Sequence, residues 1–432
     1  MTATLLERAP QRTRRGAQIT HRSTEALVFA GATAIALVHA LDDAFFHRQP
    51  GVSLGQHAIA AALSLTLGLG AVYVFPSVRP GLRSAIAFLF GALALVNGML
   101  HVKHIADSGA AASDLTGALA VAAGVVLIGL AIAIPWLHRG EGAAGPRRRW
   151  AYRVLAVPVG LLALFYTVVP MSIAITETHK YREPIGSPPS AEYREVGFEA
   201  TDGVNVSAWY RPTRNGATII VAHGGGGDRT GAVAHAKLLV KHGYGVLLHD
   251  ARGRGQSEGA QNSYGWGWPK DVAGAIRFLK TRDEVDPERI GALGLSTGAD
   301  ILIQVAGQDP DLKAVVADGT FAGSFEDVHG IVGLGAVTPF MAVEFATVGA
   351  MSGTTPGPPI EDMMRRITSP LLLVAAGPDE KDAGELYDRA AGDRPVDVWY
   401  LPEVGHTAAI REVAPDYERR VTAFFDDALR PR

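Results

Sequence analysis

Five long apolar stretches limit what this chain can fold into more than any other feature: 26–41, 54–75, 85–100, 115–137 and 154–175. A helix needs on the order of 20 mainly apolar residues to cross a hydrocarbon core, where every backbone N–H and C=O must be satisfied internally. The first and third stretches sit at the short end of that range. Five in succession with short polar connectors argue against the buried helices of a soluble core. A cleaved signal peptide fits poorly as well, because no small-residue cleavage pattern follows the first stretch. The expectation is a membrane domain with five transmembrane helices over residues 1–176.

Orientation follows from the placement of Lys and Arg. Arg8, Arg12, Arg14, Arg15 and Arg22 precede the first stretch; Arg79 and Arg83 lie between the second and third; Arg139, Arg147, Arg148, Arg149 and Arg153 lie between the fourth and fifth. The alternate connectors hold only Arg48 and Lys103. This places the N-terminus in the cytoplasm and, after five crossings, the second half of the chain outside it.

Ionisable residues gather at the outer ends of these stretches: His39, Asp42, Asp43, His47, His57, His101 and His104. His39 and Asp43 share a helical face, as do His101 and His104. Such a cluster fits a metal site or a proton-active group. The simpler expectation is interfacial side chains solvated by water and headgroups.

Composition excludes several chemistries. The 432 residues contain no cysteine, so disulfides, thiolate metal sites and a cysteine nucleophile are out. A net charge of −3 gives no reason to expect a nucleic-acid partner.

After a proline-bearing linker at 177–192, apolar runs and amphipathic helical patterns alternate through 193–432. Strands are expected at 193–199, 204–211, 217–222, 245–249, 290–293, 314–317, 371–375 and 396–400. Helices are expected at 232–241, 269–281, 297–306, 384–391 and 416–429. Short runs of β-branched and aliphatic residues, apolar on both faces and separated by helices, argue for a mostly parallel eight-stranded sheet flanked by helices. The first two strands, joined by Thr201-Asp202-Gly203, read as an antiparallel hairpin.

Within that alternation, Gly294-Leu295-Ser296-Thr297-Gly298 ends the fifth strand and opens a helix. Only small flanking residues let a serine project from so sharp a turn. A second match, Gly51-Val52-Ser53-Leu54-Gly55, follows Gln49-Pro50 instead of a strand and lacks that context.

Four segments in order carry a family resemblance: His223-Gly224-Gly225-Gly226-Gly227 after the third strand, Asp250-Ala251-Arg252-Gly253-Arg254-Gly255-Gln256-Ser257 after the fourth, the serine turn, and Gly405-His406 after the last strand. From about 193 to 429 the chain resembles the α/β-hydrolase superfamily, especially dienelactone-hydrolase-like and acylaminoacyl-peptidase-like serine hydrolases. The resemblance implies an α/β-hydrolase fold with Ser296 as nucleophile, His406 as base and Asp379 as the acid that orients it. Glu380 and Asp382 are close enough to compete for the acid's place, and Asp318, at the end of the sixth strand, is an alternative that some relatives use. It also implies oxyanion donors at the N–H groups of Thr297 and Gly225, with no metal and no organic cofactor. One departure is Ala299-Asp300 after the turn, where many relatives carry a second glycine.

Asp250 and Arg252 read as structural, and Trp266 and Trp268 as packing residues. The insertion 320–369 reads as a cap. Its apolar part, 331–351, contains Pro339 and Glu344. A sixth crossing there would bury a charge and separate Ser296 from His406, so a hydrophobic lid is expected.

The functional expectation is a serine hydrolase anchored in the lipid bilayer of the membrane, cleaving an ester, thioester or amide of a small-molecule or lipid-like acyl substrate. A serine peptidase is the alternative enzyme. A transporter or sensor carrying a hydrolase-like binding domain is the alternative of another class.

Overall fold

A computed structural model describes residues 9–138, 146–179, 181–182, 184–333 and 335–431. Arg8 and Arg139, on which the expected orientation partly rests, lie outside them. The chain divides into two compact units, Met1–Arg48 with Ser53–Tyr181, and Gln49–Val52 with Arg182–Arg432.

The first unit consists of α1 (Ala9–Leu41), extended by a π-helical turn at Asp42–Phe46, then α2 (Leu54–Val74), α3 (Pro80–Ser108), α4 (Asp114–Leu137) and α5 (Pro146–Thr178). Among the described residues, five segments are long and apolar enough to cross a membrane: Ser23–Phe46, Leu54–Ser77, Pro80–Ser108, Asp114–Leu137 and Pro158–Thr178. The first and third, short in sequence, reach 24 and 29 residues because their helices continue through polar ends. Ser53, the serine of the second glycine-flanked match, caps α2: its hydroxyl accepts from Gln56 N–H while the Gln56 side chain accepts from Ser53 N–H.

Helices α3 and α4 meet along a seam of small residues. A Cβ at Gly98 would stand 2.5 Å from Gly117 O, and one at Gly91 would stand 3.0 Å from Gly124 O. Glycine is what allows backbones to approach this closely. Leu27, Leu63, Leu67, Val125, Ile132 and Leu161 instead point outward and are exposed. Buried charge in this unit is paired: Glu25 accepts from Arg83 and lies 2.7 Å from His138 Nε2. The simplest expectation for the His/Asp cluster, solvated interfacial side chains, fails for two of its members. His39 and His101 are buried, where the polar ends of α1 and α3 pack against the start of α4. His47 is exposed, and Asp42, Asp43, His57 and His104 are partly exposed.

The second unit is an eight-stranded sheet in the order β1-β2-β4-β3-β5-β6-β7-β8. Its strands are β1 (Arg194–Glu199), β2 (Asn205–Arg211), β3 (Thr218–Ala222), β4 (Gly245–His249), β5 (Ile290–Leu295), β6 (Ala314–Asp318), β7 (Leu371–Ala376) and β8 (Val396–Leu401). β1 pairs antiparallel with β2, and β2 antiparallel with β4; every other pair is parallel. The central strands β3 to β7 are buried along their whole length, which is why they read as unbroken apolar runs.

Helices cover both faces: α6 (Val233–Lys241), α7 (Pro269–Lys280), α8 (Thr297–Ala306), α12 (Gly377–Ala391), α13 (Ala409–Glu412) and α14 (Ala414–Ala428). Between β6 and β7 stand α9 (Phe325–Val332), α10 (Val337–Ser352) and α11 (Ile360–Met364). At 16 residues α10 is too short for an ordinary crossing. Its Glu344 is buried and accepts from the Tyr264 hydroxyl, while Phe345 packs edge-on against Trp266, ring centroids 5.4 Å apart. Trp268 sits edge-on to His223 at 5.2 Å. Both tryptophans are therefore packing residues.

Candidate active site

The parallel strands deliver their C-terminal ends to one edge of the sheet, where open α/β sheets place their sites. β5 ends at Leu295, and Ser296 turns the chain into α8 with φ 53 and ψ −124. A non-glycine residue with positive φ is uncommon and strained, and it persists only where the surroundings enforce it. Here they do. Ser296 N–H donates to Asp318 O at 2.8 Å, and Ser296 O accepts from Ala299 N–H at 2.7 Å. A Cβ at Gly298 would come within 2.6 Å of Ala222 O, and one at Gly294 within 2.5 Å of Gly298 O.

The glycine run after β3 lies beside this turn. A Cβ at Gly224 would be 3.3 Å from Ser296 Cβ, and one at Gly225 would fall 2.1 Å from Ser263 O and 2.6 Å from Thr297 Oγ1. Thr297 Oγ1 itself donates to Ser263 O at 3.1 Å. His223, which opens the run, donates from Nδ1 to Gly224 O (2.8 Å) and accepts at Nε2 from Ala251 N–H (3.0 Å). Burial holds its pKa down at about 4, so it is a neutral strut between β3 and β4 and not a base. Asp250 accepts N–H groups of Arg229 and Gln256, and Arg252 bridges Asp202 and Asp271. These two residues organise the loop after β4, as expected.

His406 stands in the loop after β8. Its ring covers residue 319: a Cβ at Gly319 (φ +84) would be 2.8 Å from His406 Cε1. Since the preceding residue, Asp318, takes the Ser296 N–H, the imidazole and the serine turn occupy neighbouring strand ends. Thr407, the next residue, also has positive φ, at 50. Nδ1 of His406 lies 2.5 Å from Glu380 Oε1.

This corrects the expected acid. The sequence places Asp379 in a loop after the seventh strand, with the next helix starting at 384. Instead α12 begins at Gly377, with Pro378 in its first turn. Pro favours that position because its missing N–H is not needed there. Consecutive helical residues point about 100° apart, so Asp379 is exposed and Glu380 is turned inward. Glu380 Oε2 accepts from Ala376 N–H at 2.7 Å, which fixes the carboxylate while Oε1 meets the imidazole. Asp382 is likewise not the partner of His406. The hydrogen bond that His406 donates to Glu380 is the main reason the His406 pKa is raised above 6.5, against an opposing effect of burial.

Asp318, another candidate, is buried and takes a hydrogen bond from the Tyr417 hydroxyl at 2.9 Å. Its Oδ1 has no partner among the described residues, and burial pushes its pKa up to about 7. It supports the floor of the site. Asp300, the departure after the serine turn, is buried, and burial raises its pKa well above the carboxylate range. It accepts from Phe321 N–H at 3.0 Å and so pins the start of the insertion to α8.

The chain is similar over residues 186–413 to the family described as X-Pro dipeptidyl-peptidase (S15 family). It is 30% identical over 276 residues to the uncharacterized protein Rv2307c of Mycobacterium tuberculosis, covering 59% of this chain and 89% of that one. It is 35% identical over 137 residues to the quorum-quenching protein AidA of Acinetobacter baumannii, covering 30% of this chain and 45% of AidA. Among solved structures, the Pyrococcus furiosus esterase Pf2001 is similar with a TM-score of 0.48 at 21% identity, over 59% of this chain and 98% of the esterase. The sheet order, the strained serine turn and a family match over more than half the chain agree: the chain belongs to the X-Pro dipeptidyl-peptidase (S15) family of α/β-fold hydrolases.

Proposed function

We propose that this chain is a membrane-anchored serine hydrolase that cleaves a carboxylic ester or thioester through an acyl-enzyme. Ser296 Oγ attacks the carbonyl carbon as His406 Nε2 takes its proton; the C–O or C–S bond then breaks as the imidazolium returns that proton to the leaving group. Water activated by the same imidazole releases the acid. Glu380 holds His406 with its proton on Nδ1 and stabilises the imidazolium, the role a carboxylate plays in such triads. The N–H groups of Gly225 and Thr297 are assigned to the oxyanion.

The observation that carries this reading is the buried Glu380 paired with a half-exposed His406 beside a strained, glycine-flanked serine. The esters and thioesters are favoured by relatives named as an esterase and as a thiohydrolase, the latter from Aspergillus aculeatus. The family's description favours a second reading, a serine peptidase acting on X-Pro amide bonds. Five apolar helices support the anchor, and the Lys/Arg distribution supports an extracytoplasmic hydrolase unit.

The test is turnover by the purified full-length chain of short- and long-acyl p-nitrophenyl esters, acyl thioesters and an X-Pro anilide. Ester or thioester turnover that vanishes in Ser296→Ala is expected. Faster cleavage of the anilide would move the assignment to the peptidase reading.

A further inference from the structure

The first unit holds a second constellation that the hydrolase chemistry does not use. His39 and Asp43 lie one turn apart at the end of α1 and its π-helical extension, and His101 reaches them from α3. His39 Nε2 is 3.5 Å and His101 Nε2 3.6 Å from the same oxygen, Asp43 Oδ2. The two rings are 4.7 Å apart and nearly perpendicular. The three donor atoms all lie within 4.8 Å of one another.

The hydrogen bonds behind the rings fix what these atoms present. Thr116 donates its hydroxyl proton to Asp42 Oδ2 at 2.7 Å, so its oxygen accepts from His39 Nδ1 at 3.2 Å. Tyr181 donates to Asp114 Oδ1 at 2.7 Å, and both of those oxygens lie within reach of His101 Nδ1, at 2.6 and 3.2 Å. Each ring therefore carries its proton on Nδ1 and turns the lone pair of Nε2 towards Asp43. His39 is 1% exposed, and its Nε2 has no hydrogen-bond partner among the described residues. With both rings neutral, two lone pairs converging on a carboxylate that is largely shielded from water repel unless a cation stands among them.

We infer that His39 Nε2, Asp43 Oδ2 and His101 Nε2 bind a divalent cation of the zinc class. Two imidazoles and one carboxylate form a donor set suited to zinc and its neighbours and poor for calcium or magnesium. Ligands about 2.0–2.1 Å from a tetrahedral ion stand roughly 3.4 Å apart, close to the two separations observed. Thr116 with Asp42, and Tyr181 with Asp114, are the outer partners that orient metal-bound imidazoles. Room for the His101 ring comes from α4, where a Cβ at Gly117 would stand 2.3 Å from His101 Cγ. Three protein ligands leave a fourth position open. Two more imidazoles, His57 and His179, are close enough to Asp43 to interact with its charge.

The experiment uses the full-length chain in detergent, carrying an affinity tag without histidine, stripped with chelator and dialysed against micromolar zinc. Bound metal is counted by inductively coupled plasma mass spectrometry. About one zinc per chain is expected in the native protein and in Ser296→Ala, and less than a tenth of that in His39→Gln and His101→Gln. Should either glutamine variant fail to fold, Thr116→Val decides. It keeps all three ligands and should weaken zinc roughly 10–100-fold, seen as a smaller zinc-induced rise in Tm. A native chain that retains no zinc, or ligand variants that retain it as the native chain does, would overturn the inference.

Discussion

His406 Nδ1 lies 2.5 Å from Glu380 Oε1, and Glu380 is buried while the imidazole is more than half exposed. A fixed carboxylate holding an accessible imidazole is the arrangement a general base requires: one nitrogen is committed and the other is free to meet a hydroxyl. Ala376 N–H, bound to the second carboxylate oxygen, removes the remaining freedom of Glu380.

The acid assignment predicts that Glu380→Gln lowers kcat/KM on the order of 10³–10⁴-fold, as loss of the tautomer-fixing carboxylate does in serine hydrolases. Asp379→Asn, on the exposed side of the same helical turn, should change kcat/KM less than about 3-fold, within what remote surface changes do. Equal losses in the two variants would return Asp379 to the site.

The pH profile should follow the same pair. Glu380 favours the imidazolium, so the His406 pKa is above 6.5 and the base form is reached only at higher pH. The acidic limb of kcat/KM is expected above the ordinary histidine value. Any residual activity of Glu380→Gln should show that limb displaced to lower pH. An unmoved limb would mean that another group controls it.

Strain at the serine turn makes a stability prediction. Relieving a positive φ at a non-glycine residue gains on the order of 1–3 kcal/mol, less about 0.5–1 kcal/mol for glycine's greater freedom in the unfolded chain. Ser296→Gly should therefore raise stability by about 1 kcal/mol over Ser296→Ala, while both are inactive. Calorimetry of the two variants side by side checks this.

Asp318 should matter for stability and not for turnover. Its folded pKa is about 7, against 3.8 for a free carboxyl. Below pH 3.8 both states hold the proton and there is no penalty. Between about 4 and 7 the unfolded chain releases it while the folded chain keeps it, so stability falls as pH rises, by up to about 1.4 kcal/mol per unit. Asp318→Asn should reduce that slope across the same window and retain most of kcat/KM. An activity loss as large as that of Glu380→Gln would make Asp318 the acid.

Gly225 offers a test of the oxyanion site. A methyl there would overlap Ser263 O, so Gly225→Ala must push the glycine loop off Thr297. A drop in kcat of about 10²–10³-fold is expected, the usual effect of losing one oxyanion donor, with KM changed far less.

The central strands β3 to β7 were legible because each buries both faces and so spells an apolar run; every expected strand falls within two residues of an observed one. The five apolar helices were legible from their length and apolar composition, and the serine turn from its glycines, which are dictated by backbone contacts under 3 Å. What sequence could not resolve was the helical phase. Whether residue 379 or 380 faces His406 depends on where α12 starts, and the only signal for that start is Pro378. The His39–Asp43–His101 convergence was hidden more deeply. It joins residues some sixty positions apart, and their burial depends on the small-residue seam that draws α3 onto α4.

The most direct measurement is to react the purified chain with a fluorophosphonate and locate the adduct by peptide mass spectrometry. The account predicts one adduct, on Ser296, absent in Ser296→Ala and strongly slowed in His406→Gln. An adduct on any other residue, or a native chain left unlabelled while its folded state is intact, would contradict it.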